Sequence, residues 1–118
     1  MRIGELAKQV GISSDTIRFY EKQGLLGETV NRQRENNYRD YSEAAIERLT
    51  LIARAKRLGF SLSEILELGR LWNSGRLNRA ARIRALQEKL DQLRQKKLEL
   101  EGLETLVLEK LAILIRKP

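Results

Sequence analysis

From about Arg79 to Glu109 the chain runs without proline, is dominated by Arg, Lys, Glu, Gln and Leu, and has only Gly102 to weaken it, which predicts one long helix. Ile83, Leu86, Leu90, Leu93, Leu100 and Val107 recur at threes and fours along it, interrupted by Lys97 and Glu104 where apolar residues were due. That pattern is a coiled-coil seam with two breaks. A helix this long cannot bury such a stripe against a compact head, so the same helix of a second chain is the economical partner and a homodimer is expected. The competing arrangement is a bundle helix folded back on the head. The breaks in register argue against an ideal parallel zipper. Residues 80–108 are therefore read as the dimerisation helix. The apolar Leu111, Ile113, Leu114 and Ile115 mark 109–118 as a short terminal segment that packs on the dimer or on a partner.

Ahead of this rod the pattern changes to short helices. Leu6, Ala7 and Val10 follow Ile3 at helical spacing, giving a first helix of about two turns with no evident N-terminal cap, closed by Gly11 and Ile12. Ser13 or Ser14 can cap a second helix, Asp15 suits its positive end, and the helix should run to Lys22 or Gln23 before Gly24 stops it. Ile17 points inward, while Thr16, Arg18, Tyr20 and Lys22 offer donors suited to phosphates and base edges. Two such helices joined by a tight turn make either a generic helical hairpin or a helix-turn-helix whose second helix is free to enter the major groove.

Residues 27–37 are polar and lack an apolar pattern, so they read as loop. Tyr38 to Tyr41 then alternates as a short strand, and the whole makes a small wing from which Arg39 and one of the tyrosines could reach phosphate, the alternative being a strand edge with a solvated arginine. Ser42 is a cap for a helix to about Leu58, with Ile46, Leu49 and Ala53 on one face and Gly59 as terminator. Arg54, Lys56 and Arg57 crowd its last turn, either as partners of the negative helix end or as a second phosphate anchor. Ser61 and Glu64 match a capping box opening a helix with an apolar stripe of Leu62, Ile65, Leu66 and Trp72. The head thus spans 1–72, and Asn73-Ser-Gly75 opens a hinge over 73–79.

Composition narrows the chemistry. In 118 residues, 23 Lys and Arg oppose 16 Asp and Glu, a net charge of +7 that favours a polyanionic partner, with nucleic acid leading. A membrane is the competing polyanion, but no apolar run approaches the roughly eighteen residues of a span and no signal peptide is evident, so a cytoplasmic protein is expected. Cysteine and histidine are both absent, which removes disulfides, thiolate metal sites and the usual acid-base and nucleophilic actors. No cofactor or metal site is implied, and an enzyme is not expected.

The order of these motifs resembles the MerR family of bacterial transcription regulators. The resemblance rests on Met-Arg-Ile-Gly-Glu-Leu-Ala at the start, Asp15-Thr-Ile-Arg-Phe-Tyr-Glu-Lys-Gln-Gly-Leu25, Asn37-Tyr-Arg-Asp-Tyr41, and Arg57-Leu-Gly-Phe-Ser61 before a helix. It implies a mostly α protein: a winged helix-turn-helix head followed by a long helix that pairs antiparallel with its twin. It also implies that two heads meet successive half-sites of a near-palindromic promoter, and that the spacer DNA is bent and untwisted until RNA polymerase can use both promoter elements. Carried over by position, Thr16, Arg18 and Tyr20 match the recognition-helix contacts and Tyr38 and Arg39 the wing contacts, with Lys22, Lys56 and Arg57 as further DNA-facing cations.

The chain departs from the metal sensors of that family, whose soft-metal affinity comes from a thiolate before or after the dimer helix. Here those regions read Leu77-Asn-Arg79 and Leu111-Ala-Ile-Leu114. A large ligand-binding domain, as in drug-responsive members, would begin where the sequence stops. Control therefore stays open between an effector pocket at the C-terminal apolar segment, a protein docking on that segment, and binding without an inducer. The other functions consistent with the residues are an architectural or recombination-accessory DNA-bending protein and a coiled-coil interaction module.

Overall fold

The structure is a computed structural model that describes residues 1–27, 30–32 and 39–117, with backbone alone at 30–32 and 39. In chain order it contains α1 (Ile3–Val10), α2 (Ser14–Lys22), β1 (Val30–Arg32), β2 (Arg39–Tyr41), α3 (Glu43–Arg57), α4 (Leu62–Asn73) and α5 (Arg79–Arg116). Two compact units divide the chain, Met1–Asn78 and Arg79–Pro118.

Local chemistry explains most boundaries in the first unit. Arg2 precedes α1 without a side-chain cap, in keeping with the absence of a capping residue there. Of the two serines before α2, Ser13 is the cap: its Oγ accepts from the Thr16 amide at 3.2 Å and shares a 2.8 Å hydrogen bond with the Thr16 hydroxyl. At the other end Gly24, at φ 79°, lets the Leu25 amide reach the Tyr20 carbonyl and its own amide reach Glu21, so the chain turns sharply out of the helix. The capping box on α4 is present in both halves, Ser61 N–H to Glu64 Oε1 at 2.8 Å and Glu64 N–H to Ser61 Oγ at 3.2 Å.

The wing differs in detail from the sequence reading. Part of the stretch taken as loop is strand, for β1 pairs antiparallel with β2 and sets Val30 opposite Tyr41, Asn31 opposite Asp40 and Arg32 opposite Arg39. Three residues hold too few alternations to announce a strand, which here exists through its partner. Tyr38 lies outside the described residues, and β2 begins at Arg39. This strand is fastened on two sides. The N-terminal ammonium donates to Asp40 Oδ1 at 2.6 Å and to the Tyr41 carbonyl at 2.7 Å, while the Tyr41 amide donates to the Met1 carbonyl at 2.7 Å. Tyr41 itself is buried and its hydroxyl donates to Glu21 Oε2 at 3.1 Å, tying the wing to α2.

The core of this unit gathers Leu6, Ile17, Leu26, Tyr41 and Leu49, all fully buried. Two helix faces are rotated from expectation. On α3 the buried residues are Ala45, Arg48, Leu49 and Ile52, whereas Ile46 and Ala53 are only half-buried. On α4 the buried residues are Ile65 and Gly69, and Leu62 stands open at the first turn. In the second unit α5 is one helix of 38 residues that continues through the apolar terminus to Arg116 instead of ending near 108, because nothing between Gly102 and Pro118 breaks it. The seam positions Ile83, Leu86, Leu90, Leu93, Leu100 and Val107 are all exposed.

Candidate nucleic-acid interface

The phase of α2 follows from Ile17, which is wholly buried, and one turn later Tyr20 lies on the same inward side at 4% exposure. The side chains left outside are Asp15, Arg18, Phe19, Lys22 and Gln23. Tyr20, expected among the DNA-facing donors, is thus a packing residue of the head, and the aromatic ring that emerges is its neighbour Phe19. The two rings lie tilted at 52° with centroids 5.9 Å apart. The inward step of three from Ile17 was the signal that separates them.

Arg18 is held by Asp15 through a 3.0 Å ion pair on the open face, both side chains largely in water. Such a pair orients the guanidinium and yields readily to a stronger anion, since exposed pairs contribute little. Lys22 is exposed at the C-terminal end of the same helix, and Lys56 and Arg57 are exposed at the end of α3. Thr16 and Lys56 come together with Tyr20 around one open groove of ≈ 390 Å³, lined by Asp15, Thr16, Phe19 and Tyr20 of α2, Lys56 of α3, and Leu62 and Ile65 of α4. For Arg39 the backbone of β2 is described, and its strand is the one anchored to α2 through Tyr41.

A cluster not foreseen from the sequence holds the end of α2 in place. Arg48, 9% exposed, donates from Nη1 to the Leu25 carbonyl at 3.1 Å and to Asn73 Oδ1 at 2.8 Å, and its guanidinium lies 4.1 Å from the centroid of Trp72. Asn73 in turn donates from Nδ2 to the Gly24 carbonyl at 3.0 Å. Desolvation lowers the basicity of Arg48, the nearby Glu47 carboxylate opposes the shift, and the guanidinium stays cationic. Trp72 therefore serves as a platform for a buried cation as well as a packing residue. The cluster ties the turn after α2 to α3 and to the last residue of α4.

A short helix capped by Ser13, stopped by Gly24, open on a cationic face and braced by a two-stranded wing is a winged helix-turn-helix. The family model for the MerR HTH family regulatory protein matches residues 1–71, and a second, described as MerR, DNA binding, matches residues 46–109. The chain belongs to the MerR family. It is a DNA-binding transcription regulator of the MerR type, similar to the HTH-type transcriptional regulator CueR of Salmonella typhimurium, with 36% identity over 103 residues, 87% of this chain and 73% of that protein. The structure of the transcription regulator PbrR691 from Ralstonia metallidurans CH34, in complex with lead(II), superposes with a TM-score of 0.77 at 35% identity, covering 92% of this chain and 84% of that one. HiNmlR, a MerR family regulator lacking the sensor domain and bound to promoter DNA, gives a TM-score of 0.65 at 27% identity over 94% of this chain and 86% of that one.

Proposed function

We propose that this MerR-type regulator acts as a homodimer in the cytoplasm, laying the α2 helices of two heads into successive half-sites of a near-palindromic promoter and deforming the spacer so that RNA polymerase can engage it. The observation that carries the reading is the pairing of an exposed cationic helix with an exposed apolar stripe on α5, one suited to DNA and the other to a second copy. HiNmlR, a solved relative bound to promoter DNA, supports the first half. The role is binding and deformation, not catalysis. Among the described residues no helix is long and apolar enough to cross a membrane.

In this division of labour 1–72 is the DNA-binding head, 73–79 a hinge and α5 the dimerisation helix. Arg18 and Lys22 meet the duplex from α2, Tyr38 and Arg39 from the wing, and Lys56 and Arg57 anchor its backbone from the end of α3. Thr16 contributes at the helix start. The lead bound by PbrR691 does not carry over to these residues. The sequence has no cysteine and no histidine, and among the described residues no group of three or more carboxylates could hold a metal.

Footprinting followed by transcription in vitro on the protected promoter tests the reading. A two-fold symmetric footprint with altered RNA output is the expected result, and an asymmetric footprint or unchanged output overturns it. Within that assay Arg18→Ala should cost about 1 to 3 kcal/mol of binding and relax one position of each half-site. Fluorescence titration against single-base variants reads this out, and a uniform loss over all sequences would make Arg18 a phosphate contact instead.

A further inference from the structure

One apolar side chain interrupts the polar outer face of α2. Phe19 is 42% exposed between the Arg18 cation and the buried Tyr20, and it borders the same groove as Leu62, itself 44% exposed at the start of α4. Two large apolar groups left in water beside one another call for a cover. Lys56 belongs to the lining of this groove, and Asp15, the one anion among the lining residues, is engaged by Arg18, the chain neighbour of Phe19. The surface therefore fits an anionic partner that brings an apolar handle with it.

A phenylalanine ring has no donor or acceptor, so it can neither grip a phosphate nor read a hydrogen-bonding base edge. Of the groups that duplex DNA displays in its major groove, only the thymine 5-methyl is apolar. We infer that Phe19, with Leu62 beside it, reads the 5-methyl group of one thymine in each half-site. This rests on the promoter-binding reading above and adds a specificity-determining residue to it. The contact complements Arg18: the guanidinium seeks the acceptors of a guanine or a phosphate, while the ring next to it rewards a methyl and distinguishes thymine from cytosine by more than hydrogen bonding.

Deoxyuridine removes the methyl and leaves the pairing edge intact, so it isolates the contact. Duplexes recovered by the wild-type protein from a random pool serve as probes, with each thymine replaced in turn by deoxyuridine. Wild-type protein should lose about fourfold in affinity at one symmetry-related thymine position, the worth of one buried methyl group. Phe19→Ala should bind thymine and deoxyuridine alike at that position, and Phe19→Leu should keep part of the difference. Phe19→Leu keeps most of the apolar bulk and should melt close to the wild type, and Phe19→Ala is compared at a temperature where circular dichroism shows it folded. Wild-type indifference to deoxyuridine everywhere in the footprint overturns the inference, as does a thymine preference that survives Phe19→Ala. Either leaves promoter binding standing. Failure to recover any preferred duplex from the pool would instead overturn both.

Discussion

Replacing Leu90 and Leu93 together by glutamate should turn the protein into a monomer and cut its affinity for a two-half-site operator by at least about 100-fold, because the second head then no longer binds as part of the same molecule. Both leucines are 44% exposed in the single chain, on the stripe that also carries Ile83 and Leu86. Fully burying a leucine contributes roughly 1.5 to 3 kcal/mol, pairing can bury only the 44% still open, and a dimer contains each position twice, so the double substitution removes on the order of 3 to 5 kcal/mol and places charge in an apolar seam. A loss of that size shifts a dimerisation constant by about two to four powers of ten. Glutamate is a good helix former, so circular dichroism should show helix retained where the seam is lost. Gln95→Glu, an exposed change off the stripe, should leave dimerisation as it was. Sedimentation equilibrium decides: a double variant that still sediments as a dimer would mean that the stripe is not where two copies meet.

How far the sequence alone reaches depends on whether a feature is local. The start of α2 at Ser13 or Ser14, its stop at Gly24 and the capping box at Ser61 and Glu64 are set by residues within four or five positions of one another; the structure selects Ser13 of the two serines and places the other features where the sequence reading put them. The long helix was legible from composition, though its end was not, since an apolar tail looks like a change of element when it is only a change of residue type. The cations Arg18, Lys22, Lys56 and Arg57 are legible as charge on helices, and the structure leaves all four exposed. Tyr20 was chosen for its hydroxyl, and the helical phase set by Ile17 outweighs that chemistry. The hardest case is Arg48, which no apolar pattern can locate: its acceptors at Leu25 and Asn73 are 23 and 25 residues away in the chain. A buried cation is legible only once the acceptors that permit it are in place.

That makes Arg48 a position in the head where a single change should cost as much as the loss of a core leucine. Arg48→Ala is expected to destabilise the first unit by about 2 to 4 kcal/mol, since it strips the donor from a buried carbonyl and from the Asn73 side chain and empties the space over Trp72. Arg48→Lys should recover only part of this: both hydrogen bonds leave from one nitrogen, Nη1, which an ammonium can replace, but an ammonium lacks the planar group that stacks on indole. Gly27 offers an independent view of the same cluster. Its φ is +56°, and a Cβ there would lie 2.7 Å from Asn73 Oδ1 and 3.2 and 3.3 Å from the Arg48 guanidinium nitrogens. Gly27→Ala therefore combines left-handed strain with intrusion on the cluster and should cost about 1 to 3 kcal/mol. Urea titration followed by Trp72 fluorescence measures all three variants, Trp72 being the sole tryptophan and part of the cluster. The consequence reaches the interface, because the carbonyls that Arg48 and Asn73 hold belong to Leu25 and Gly24, the turn on which α2 ends. At temperatures where Arg48→Ala is still folded it should bind operator more weakly than its intact set of DNA-facing side chains would suggest. Wild-type affinity in a folded Arg48→Ala protein would show that α2 keeps its angle without this anchor.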